Sequence, residues 1–423
     1  GVTPALLASG IPDEAYEPHA LDDRETARAL KKRNREERKQ LQHGALQLTF
    51  DDALSSDVRE LTEAARRLAE APDDTPDQLA AKESAFHELI HGQAYQHARL
   101  VADAWCAAFF LPKQKGAEAI TTDVLRRLAR NPELVPAALR DQVQHLAREL
   151  GFFHWHLEFP EVFRSVNGSP DNPEAGWSGG FDVVLGNPPW ERVKLEEKQF
   201  FTARAPDVAA ARNKSERANA IARLRQDEPA LYRAFQEALH RADSELAFLH
   251  GSGRYPLCGR GDTNTYAVFA ETFRLLLSPA GRAGVVVPTG IATDATTQHF
   301  FADLVEHRQL ASLYDFENRK KLFPAVDSRM KFSILTVTGT ARPASAAEFA
   351  FFCHDVADLA DPERRFTLTP EDFRLLNPNT RTAPVFRTRR DAELTRHIYR
   401  RVPILVDDTR GDAGHPWSVS FLA

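Results

Sequence analysis

The sequence predicts an α/β protein with a mainly parallel sheet, a large helical block before the sheet and inserted helices within it. Short apolar runs alternate with helical patterns between residues 181 and 338, which is typical of strand–helix units. Residues 55–150 instead show apolar residues at helical spacing, with prolines at the breaks. Residues 181–190 change abruptly from an apolar, β-branched run to a glycine and two prolines, as a parallel strand does where it opens into a site.

Composition and charge exclude several classes of protein. The chain has 423 residues, 43% hydrophobic and 27% charged, which is the balance of a soluble globular protein of two or three domains. Its apolar runs are shorter than the ~18 residues of a membrane span, and no leader is apparent, so we expect neither insertion nor export. Cys106, Cys258 and Cys353 form no CxxC pair, which favours a reducing cytoplasm over a disulfide framework or thiolate zinc site. The net charge of -6 argues against coating of nucleic acid by bulk charge, but it is compatible with a local basic groove.

The elements follow one another in a simple order along the chain. An irregular lead-in (residues 1–20) precedes the helical block, and the first strand of the sheet is predicted at residues 181–185. The later helices are predicted at residues 191–204, 207–226, 229–250, 264–277, 293–307 and 391–401, and the later strands at residues 282–288, 310–316, 331–338 and 348–353.

A zinc-protease motif, His87-Glu-Leu-Ile-His91, lies inside the helical block. It would place two imidazoles one turn apart on a helix face, and His97 falls near the position of a third ligand in metzincins. The bend that returns such a ligand normally uses a glycine, whereas Ala94 occupies that position and favours a continuous helix. We therefore predict a partly exposed helix face and no metal, with a zinc protease as the alternative.

The turn Asn187-Pro-Pro-Trp190 offers a specific chemistry. Because proline has no N–H, the backbone around Pro188 and Pro189 presents carbonyl oxygens without competing donors, and Asn187 Oδ1 adds a second kind of acceptor. Two acceptors can hold the hydrogens of an exocyclic amino group, favour its nucleophilic geometry and stabilise the positive charge that develops during attack. Trp190 offers a flat face on which a base can stack, worth ~1–3 kcal/mol.

Gly-Asn-Pro-Pro-Trp after an Asp-containing apolar strand resembles the catalytic motif of amino-methyltransferases that use S-adenosylmethionine, especially the adenine-N6 DNA enzymes. Four later stretches are similar, in order, to motifs of large type IIG restriction-modification enzymes and of methyltransferases in phage-defence systems such as BREX and DISARM. The resemblance covers roughly residues 150–340, and its later motifs are residues 264–269, 277–288, 313–319 and 331–337.

The resemblance implies part of a Rossmann-like methyltransferase sheet and gives each part of the chain a role. Residues 1–150 would form a helical domain or insertion. Residues 151–340 would form the catalytic α/β part. Residues 341–423 would form a linker or the start of a target-recognition region.

The resemblance also implies roles for single residues. In the catalytic motif of residues 187–190, which includes Pro189, Asn187 and the Pro188 carbonyl would accept hydrogen bonds from adenine N6, and Trp190 would stack on a base flipped out of the duplex. The family's second stacking aromatic lies just after the strand matching residues 331–337, where this sequence has Thr338 and Gly339.

Three basic residues near the expected mouth of the site are candidate phosphate contacts: Lys194, Arg254 and Arg260. The structural alternative for each of them is a solvated surface charge. The implied partners are double-stranded DNA and other subunits of a defence system, and no membrane.

The expected cofactor is S-adenosylmethionine, but its usual binding motif is not apparent. Related enzymes hold it with a glycine-rich turn after a strand that precedes Asn-Pro-Pro-Trp, and residues 1–180 contain no strand followed by GxG. Because the chain starts with Gly1, we expect that it begins after that segment, supplies the catalytic half of the site and binds the cofactor weakly by itself. A glutamine-N5 or RNA methyltransferase and a non-catalytic DNA-binding or assembly subunit are the alternatives.

Overall fold

The computed structural model describes residues 1–42, 45–165 and 169–418, without the side chains of residues 42 and 45–56. The chain divides into two compact units. The first comprises Gly1–Ser178 and Val193–Arg254, and the second comprises Gly179–Arg192 and Tyr255–Ala423.

The first unit is predominantly helical, as the sequence predicts. Its central helix is almost entirely buried, with Trp105 and Phe109 fully enclosed. A separate cluster around Phe201 and Phe235 joins the helices that follow residue 193. The elements are α1 (Pro4–Ala8), α2 (Arg24–Gln42), α3 (Ala45–Glu70), α4 (Pro76–His91), α5 (Gln93–Phe110), α6 (Thr122–Arg130), α7 (Ala137–Leu150), α8 (Trp155–Glu158), the short strands β1 (Phe163–Arg164) and β2 (Ser178–Gly179), α9 (Glu197–Thr202), α10 (Pro206–Ala209), α11 (Lys214–Asp227) and α12 (Pro229–Gly251).

The second unit is built on a six-stranded sheet within the described residues. Its elements are β3 (Phe181–Gly186), α13 (Thr265–Leu275), β4 (Leu277–Val287), α14 (Gly290–Thr293), α15 (Gln298–Glu306), β5 (Leu310–Glu317), β6 (Lys331–Thr338), β7 (Ala347–Cys353), β8 (Phe366–Leu368), α16 (Pro370–Leu376) and α17 (Arg389–Tyr399).

The strand order is β3-β4-β6-β5-β7-β8. β3 pairs with β4, and β5 with β7, in parallel, whereas β6 runs antiparallel to both β4 and β5. β8 runs antiparallel to β7. Four of the six described strands therefore point the same way, which confirms the predicted α/β fold, and the carboxyl ends of β3, β4 and β5 meet at one edge of the sheet.

One face of the sheet carries the main apolar core of this unit. Val285, Leu313, Leu335 and Phe349 are buried in it together with residues of α13, α15 and α16. Side chains alternate along each strand, so the intervening residues point to the other face. Val286, Tyr314 and Ile334 on that face are only partly buried, and they pack with Trp190, Phe316 and Phe332.

The start of one predicted helix differs in the structure. Residues 191–196 lie outside any helix, and the helix predicted to start there begins at Glu197. Residues 341–423 contribute β7, at the predicted strand, and β8 to the sheet, and their assignment as a linker or the start of a recognition region stays a prediction. None of the described helices has the length and apolarity needed to cross a membrane.

Candidate functional site

The turn at residues 186–190, called here the Asn187 turn, directly follows β3 and leaves two hydrogen-bond acceptors open. Asn187 is exposed, and its side chain makes no hydrogen bond to the described residues. Pro188 is buried, yet its carbonyl oxygen accepts no hydrogen bond from the described part of the chain. Neither proline contributes a donor. Neither of the two acceptors that the sequence predicts is used by the described residues, and their role towards a ligand stays a prediction.

Helix α13 fixes the turn from outside. The Thr265 hydroxyl donates to the Pro189 carbonyl at 2.6 Å and accepts from the Glu191 amide at 3.0 Å. The Thr265 amide donates to the Glu191 carbonyl at 2.9 Å. A Cβ at Gly186 would lie 2.8 Å from the ring of Phe273, so only glycine lets the strand end this close to the helix. Thr265 lies within the motif of residues 264–269, but the sequence does not predict this role for it.

A cavity of about 220 Å³ lies beside the turn and is called here the Trp190 cavity. Most of its lining is apolar or aromatic, and its polar groups are the Asn187 amide and the backbone. An apolar pocket with a few placed polar groups is typical of ligand sites. The lining residues are Asn187, Pro188, Trp190, Val286, Phe323, Val326, Met330 and Phe332.

Trp190 is half-buried and packs against both apolar clusters of the sheet. Its indole Nε1 is buried and has no hydrogen-bond partner among the described residues. The ring is thus held by packing rather than by a polar anchor.

The second aromatic wall does not come from the position that the resemblance indicates. Thr338 is 1% exposed and pairs with Arg282, in the middle of β4 and away from the carboxyl end of that strand. Because β6 is antiparallel, its first residues lie beside the end of β4, where Ser333 pairs with Val287. The sequence leaves the second wall open, and the residues that line the cavity on this side precede and begin β6.

Phe323 supplies an aromatic surface to the Trp190 cavity. Its ring lies 5.0 Å from that of Phe332 at an interplanar angle of 75°, and Phe332 stacks on Phe316 at 5.3 Å and 11°. Sequence reasoning missed Phe323, because it is one of 27 phenylalanines and lies in a segment without strand or helix periodicity.

Charged groups gather where the loop after β5 begins and ends. Glu317 accepts a hydrogen bond from Arg319 at 2.5 Å and lies 3.3 Å from Lys331 and 3.4 Å from His354. The hydrogen bond from Arg319 and the nearby Lys331 lower the pKa of Glu317 to about 2. Asp315 on the same strand accepts a hydrogen bond from Ser333, and burial raises its pKa.

The three predicted phosphate contacts have different surroundings. Lys194 belongs to the first unit and lies 3.1 Å from Glu196, in an ion pair at the surface. Arg254 belongs to the first unit and is 5% exposed. Arg260 in the second unit is exposed, and its Nε donates to the Pro256 carbonyl at 2.9 Å. DNA contact by all three stays a prediction, and Arg254 offers the least accessible side chain.

The zinc-protease motif lacks a third ligand in the expected place. α4 ends at His91 and α5 begins at Gln93, so the helix does not continue through this region, contrary to the prediction drawn from Ala94. His87 and His91 stack with ring centroids 6.2 Å apart, but His97 lies 2.7 Å from Asp57 and 2.8 Å from the Leu128 carbonyl. Within the described residues, no group of three or more His, Cys, Asp or Glu side chains could hold a metal ion.

Comparison with known proteins adds a family match. Residues 90–242, which include the Asn187 turn, match the profile of the Eco57I restriction-modification methylase family. This match supports a DNA methyltransferase of a restriction-modification system. No curated protein matches the sequence.

Two solved structures show a weak likeness to the chain. One comes from a study of complex assembly and conformational transition of a type I restriction-modification system, with 9% identity, a TM-score of 0.25, and 84% of this chain and 90% of that chain covered. The other is a modification subunit of a putative type I restriction enzyme from Vibrio vulnificus YJ016, with 10% identity, a TM-score of 0.20, and 75% and 70% covered. These scores are too low to assign a shared fold.

Proposed function

We propose that this chain provides the amine-activating site of an S-adenosylmethionine-dependent DNA adenine-N6 methyltransferase in a restriction-modification or phage-defence system. The main support is the pair of open acceptors, Asn187 Oδ1 and the Pro188 carbonyl, beside an aromatic cavity at the carboxyl end of β3. The family match over the same turn supports the methylation of DNA. Double-stranded DNA and other subunits of the system are the proposed partners.

The two acceptors prepare the amine for attack. The lone pair of an exocyclic amino group is delocalised into the ring, so the free amine is a poor nucleophile. Hydrogen bonds to Asn187 and Pro188 favour a pyramidal nitrogen and stabilise the charge that develops as the new bond forms. Because Thr265 holds the turn independently of the substrate, the acceptors are already in place when the base arrives.

The cavity fits a planar base that has left the duplex. Trp190 and Phe323 provide aromatic surfaces, and Val286, Val326 and Met330 provide apolar ones. Stacking of a base on an aromatic side chain is worth ~1–3 kcal/mol, which helps to offset the cost of unstacking it from its neighbours. A purine gains more from this contact than a smaller ring, which favours adenine over cytosine among the bases with an exocyclic amine.

The usual S-adenosylmethionine-binding motif is not found in the part of the chain that the structure describes. Within the described residues, no strand followed by a GxG turn precedes β3. β3 is the end strand of the sheet, and its Val183 and Leu185 are 65% and 78% exposed. An exposed apolar edge strand is a ready template for pairing. We propose that the strand and glycine-rich turn that hold S-adenosylmethionine, the methyl donor, pair with β3 along this edge.

Replacement of Asn187 tests the proposed function. Plasmid DNA from cells that express the full-length protein, with the cofactor-binding segment attached to this chain, would be digested to nucleosides and analysed by mass spectrometry. We expect N6-methyladenine with the wild type and a loss of about 100-fold or more with Asn187→Ala, since a preorganised hydrogen-bonding group at the reacting centre is removed. Asn187→Asp keeps an acceptor and should retain part of the activity. Because Asn187 is exposed and unpaired within the described chain, neither variant should lower the melting temperature.

The other outcomes separate the alternatives. Detection of N4-methylcytosine would mean that the target base is cytosine and not adenine. Methylated glutamine or methylated RNA, without methylated DNA, would mean that the substrate is a protein or an RNA. DNA binding without methylation by the wild type would favour a non-catalytic subunit. Methylation that persists in Asn187→Ala would refute the role given to this side chain.

A further inference from the structure

The loop between β5 and β6, residues 318–330, is organised around one buried side chain. Asn318 is 0% exposed, and its Nδ2 donates to the Phe323 carbonyl at 2.9 Å and the Val326 carbonyl at 3.0 Å. Its Oδ1 accepts from the Phe323 amide at 3.0 Å. The backbone N–H of Asn318 donates to the Met330 carbonyl at 2.9 Å, and this bond joins the two ends of the loop.

The residues that Asn318 holds are the ones that line the Trp190 cavity. Phe323, Val326 and Met330 all contribute to its lining. Phe323 and Met330 are nevertheless 40% and 42% exposed, so burial alone does not fix them. Their positions depend on the backbone of the loop, which is held by the Asn318 side chain together with local bonds such as that from the Val326 amide to the Phe323 carbonyl at 3.1 Å.

The bonds made by the Asn318 side chain require an amide group at the end of a short side chain. The Phe323 backbone donates to Asn318 Oδ1 and accepts from Asn318 Nδ2. These two bonds require a side chain that has both a hydrogen-bond donor and an acceptor. An aspartate at this position would accept but could not donate in its ionised form, and an alanine would do neither. Ordering a residue costs ~1–2 kcal/mol of backbone entropy, so a loop without these bonds would have to be ordered by the ligand itself.

We propose that Asn318 is a positioning residue for base recognition, which holds Phe323 and Val326 as a preformed wall of the Trp190 cavity. This inference rests on the proposed function for its ligand, a flipped purine base. The wall itself, which the sequence leaves open, is formed by Phe323 and Val326 in this proposal, and the new element is the role of Asn318. Asn318 itself does not line the cavity and acts only through the residues it holds.

A double-mutant cycle tests the proposal through the kinetics of methyl transfer to plasmid DNA. We expect Phe323→Ala and Asn318→Ala each to lower kcat/KM about tenfold, in the range of a lost base–aromatic contact. The double variant should lose little more than either single one, because both substitutions remove the same wall. Multiplied effects in the double variant, or an unchanged kcat/KM in Asn318→Ala, would overturn the proposal.

A matched control separates positioning from general stability. Asn377 also holds a loop through its side chain, with Nδ2 2.7 Å from the Thr382 hydroxyl, and it does not line the Trp190 cavity. Asn377→Ala should lower the melting temperature without a comparable loss of kcat/KM. If it lowers kcat/KM as much as Asn318→Ala at equal stability, the effect of Asn318 is structural and the proposal fails.

Hydrogen exchange gives a readout that does not depend on activity. The Phe323 amide is protected in the structure by Asn318 Oδ1, so Asn318→Ala should accelerate its exchange, and Asn377→Ala should not. Unchanged exchange would overturn the proposal even in an inactive protein. A wild type that methylates no substrate, with accelerated exchange in Asn318→Ala, would refute the proposed function and leave the positioning of the loop established.

Discussion

The two segments that line the Trp190 cavity are held in contrasting ways. The Asn187 turn is short, contains two prolines and is held from outside by the hydroxyl of Thr265. The loop of residues 318–330 is long, contains exposed apolar side chains and is held from within by the amide of Asn318. A rigid turn suits groups that must meet the reacting atom accurately, whereas a side chain that only stacks tolerates a longer support.

The largest difference between the two segments should be in the free energy of unfolding that is lost when the aromatic residue of each segment is replaced by alanine. Trp190 packs against both apolar clusters, so Trp190→Ala should lower the free energy of unfolding by about 2–3 kcal/mol, somewhat less than for a fully buried aromatic. Phe323 is 40% exposed, and Phe323→Ala should cost less than about 1 kcal/mol. Urea denaturation of both variants and of the wild type measures these changes in the free energy of unfolding. Equal losses would mean that the loop is as much a part of the core as the turn.

Thr265→Val tests the outside support of the turn. The substitution keeps the shape but leaves the Pro189 carbonyl and the Glu191 amide without their partner, so we expect a loss of about 1 kcal/mol in the free energy of unfolding. Methyl transfer should fall about tenfold, because Asn187 and Pro188 lose their exact placement.

The control for this variant is Thr367→Val, at an exposed position on β8. It removes a hydroxyl from the same unit without touching the turn and should leave both quantities unchanged. If Thr265→Val behaves like this control, the prolines alone hold the turn.

The contrast also explains which half of the site is predictable from the sequence. The Asn187 turn is a local feature: an apolar strand, a glycine and two prolines mark it without knowledge of any partner strand. The loop is a long-range feature, since Phe323 reaches the cavity only because β6 runs antiparallel between β4 and β5. An apolar run such as residues 331–338 predicts a strand but not its direction, so the sequence leaves the second wall of the cavity open.

Side-chain hydrogen bonds between distant residues are a further reason why the sequence predicts only part of the site. Asn318 follows an apolar strand like many loop residues do, and nothing in its neighbours shows that its amide will turn inward. The same holds for Thr265, whose partners Pro189 and Glu191 lie far away in the sequence. The helical block was predictable because its spacing is local, yet the break at Gly92 was missed because glycine is compatible with either a helix or a turn.

The smallest expected effect concerns the ends of the loop and depends on pH. Glu317 joins Arg319 at the start of the loop to Lys331 after its end, and this lowers the pKa of Glu317 from 4.5 to about 2. A carboxyl group with a lowered pKa in the folded state stabilises the protein above its unfolded pKa, and this contribution is lost as the pH falls towards the folded value. The melting temperature should therefore fall more steeply between pH 5 and pH 3 in the wild type than in Glu317→Gln, which has no charge to lose. Parallel pH profiles for the two proteins would mean that the loop is held by Asn318 alone, and that the ion pairs at its ends are ordinary surface contacts.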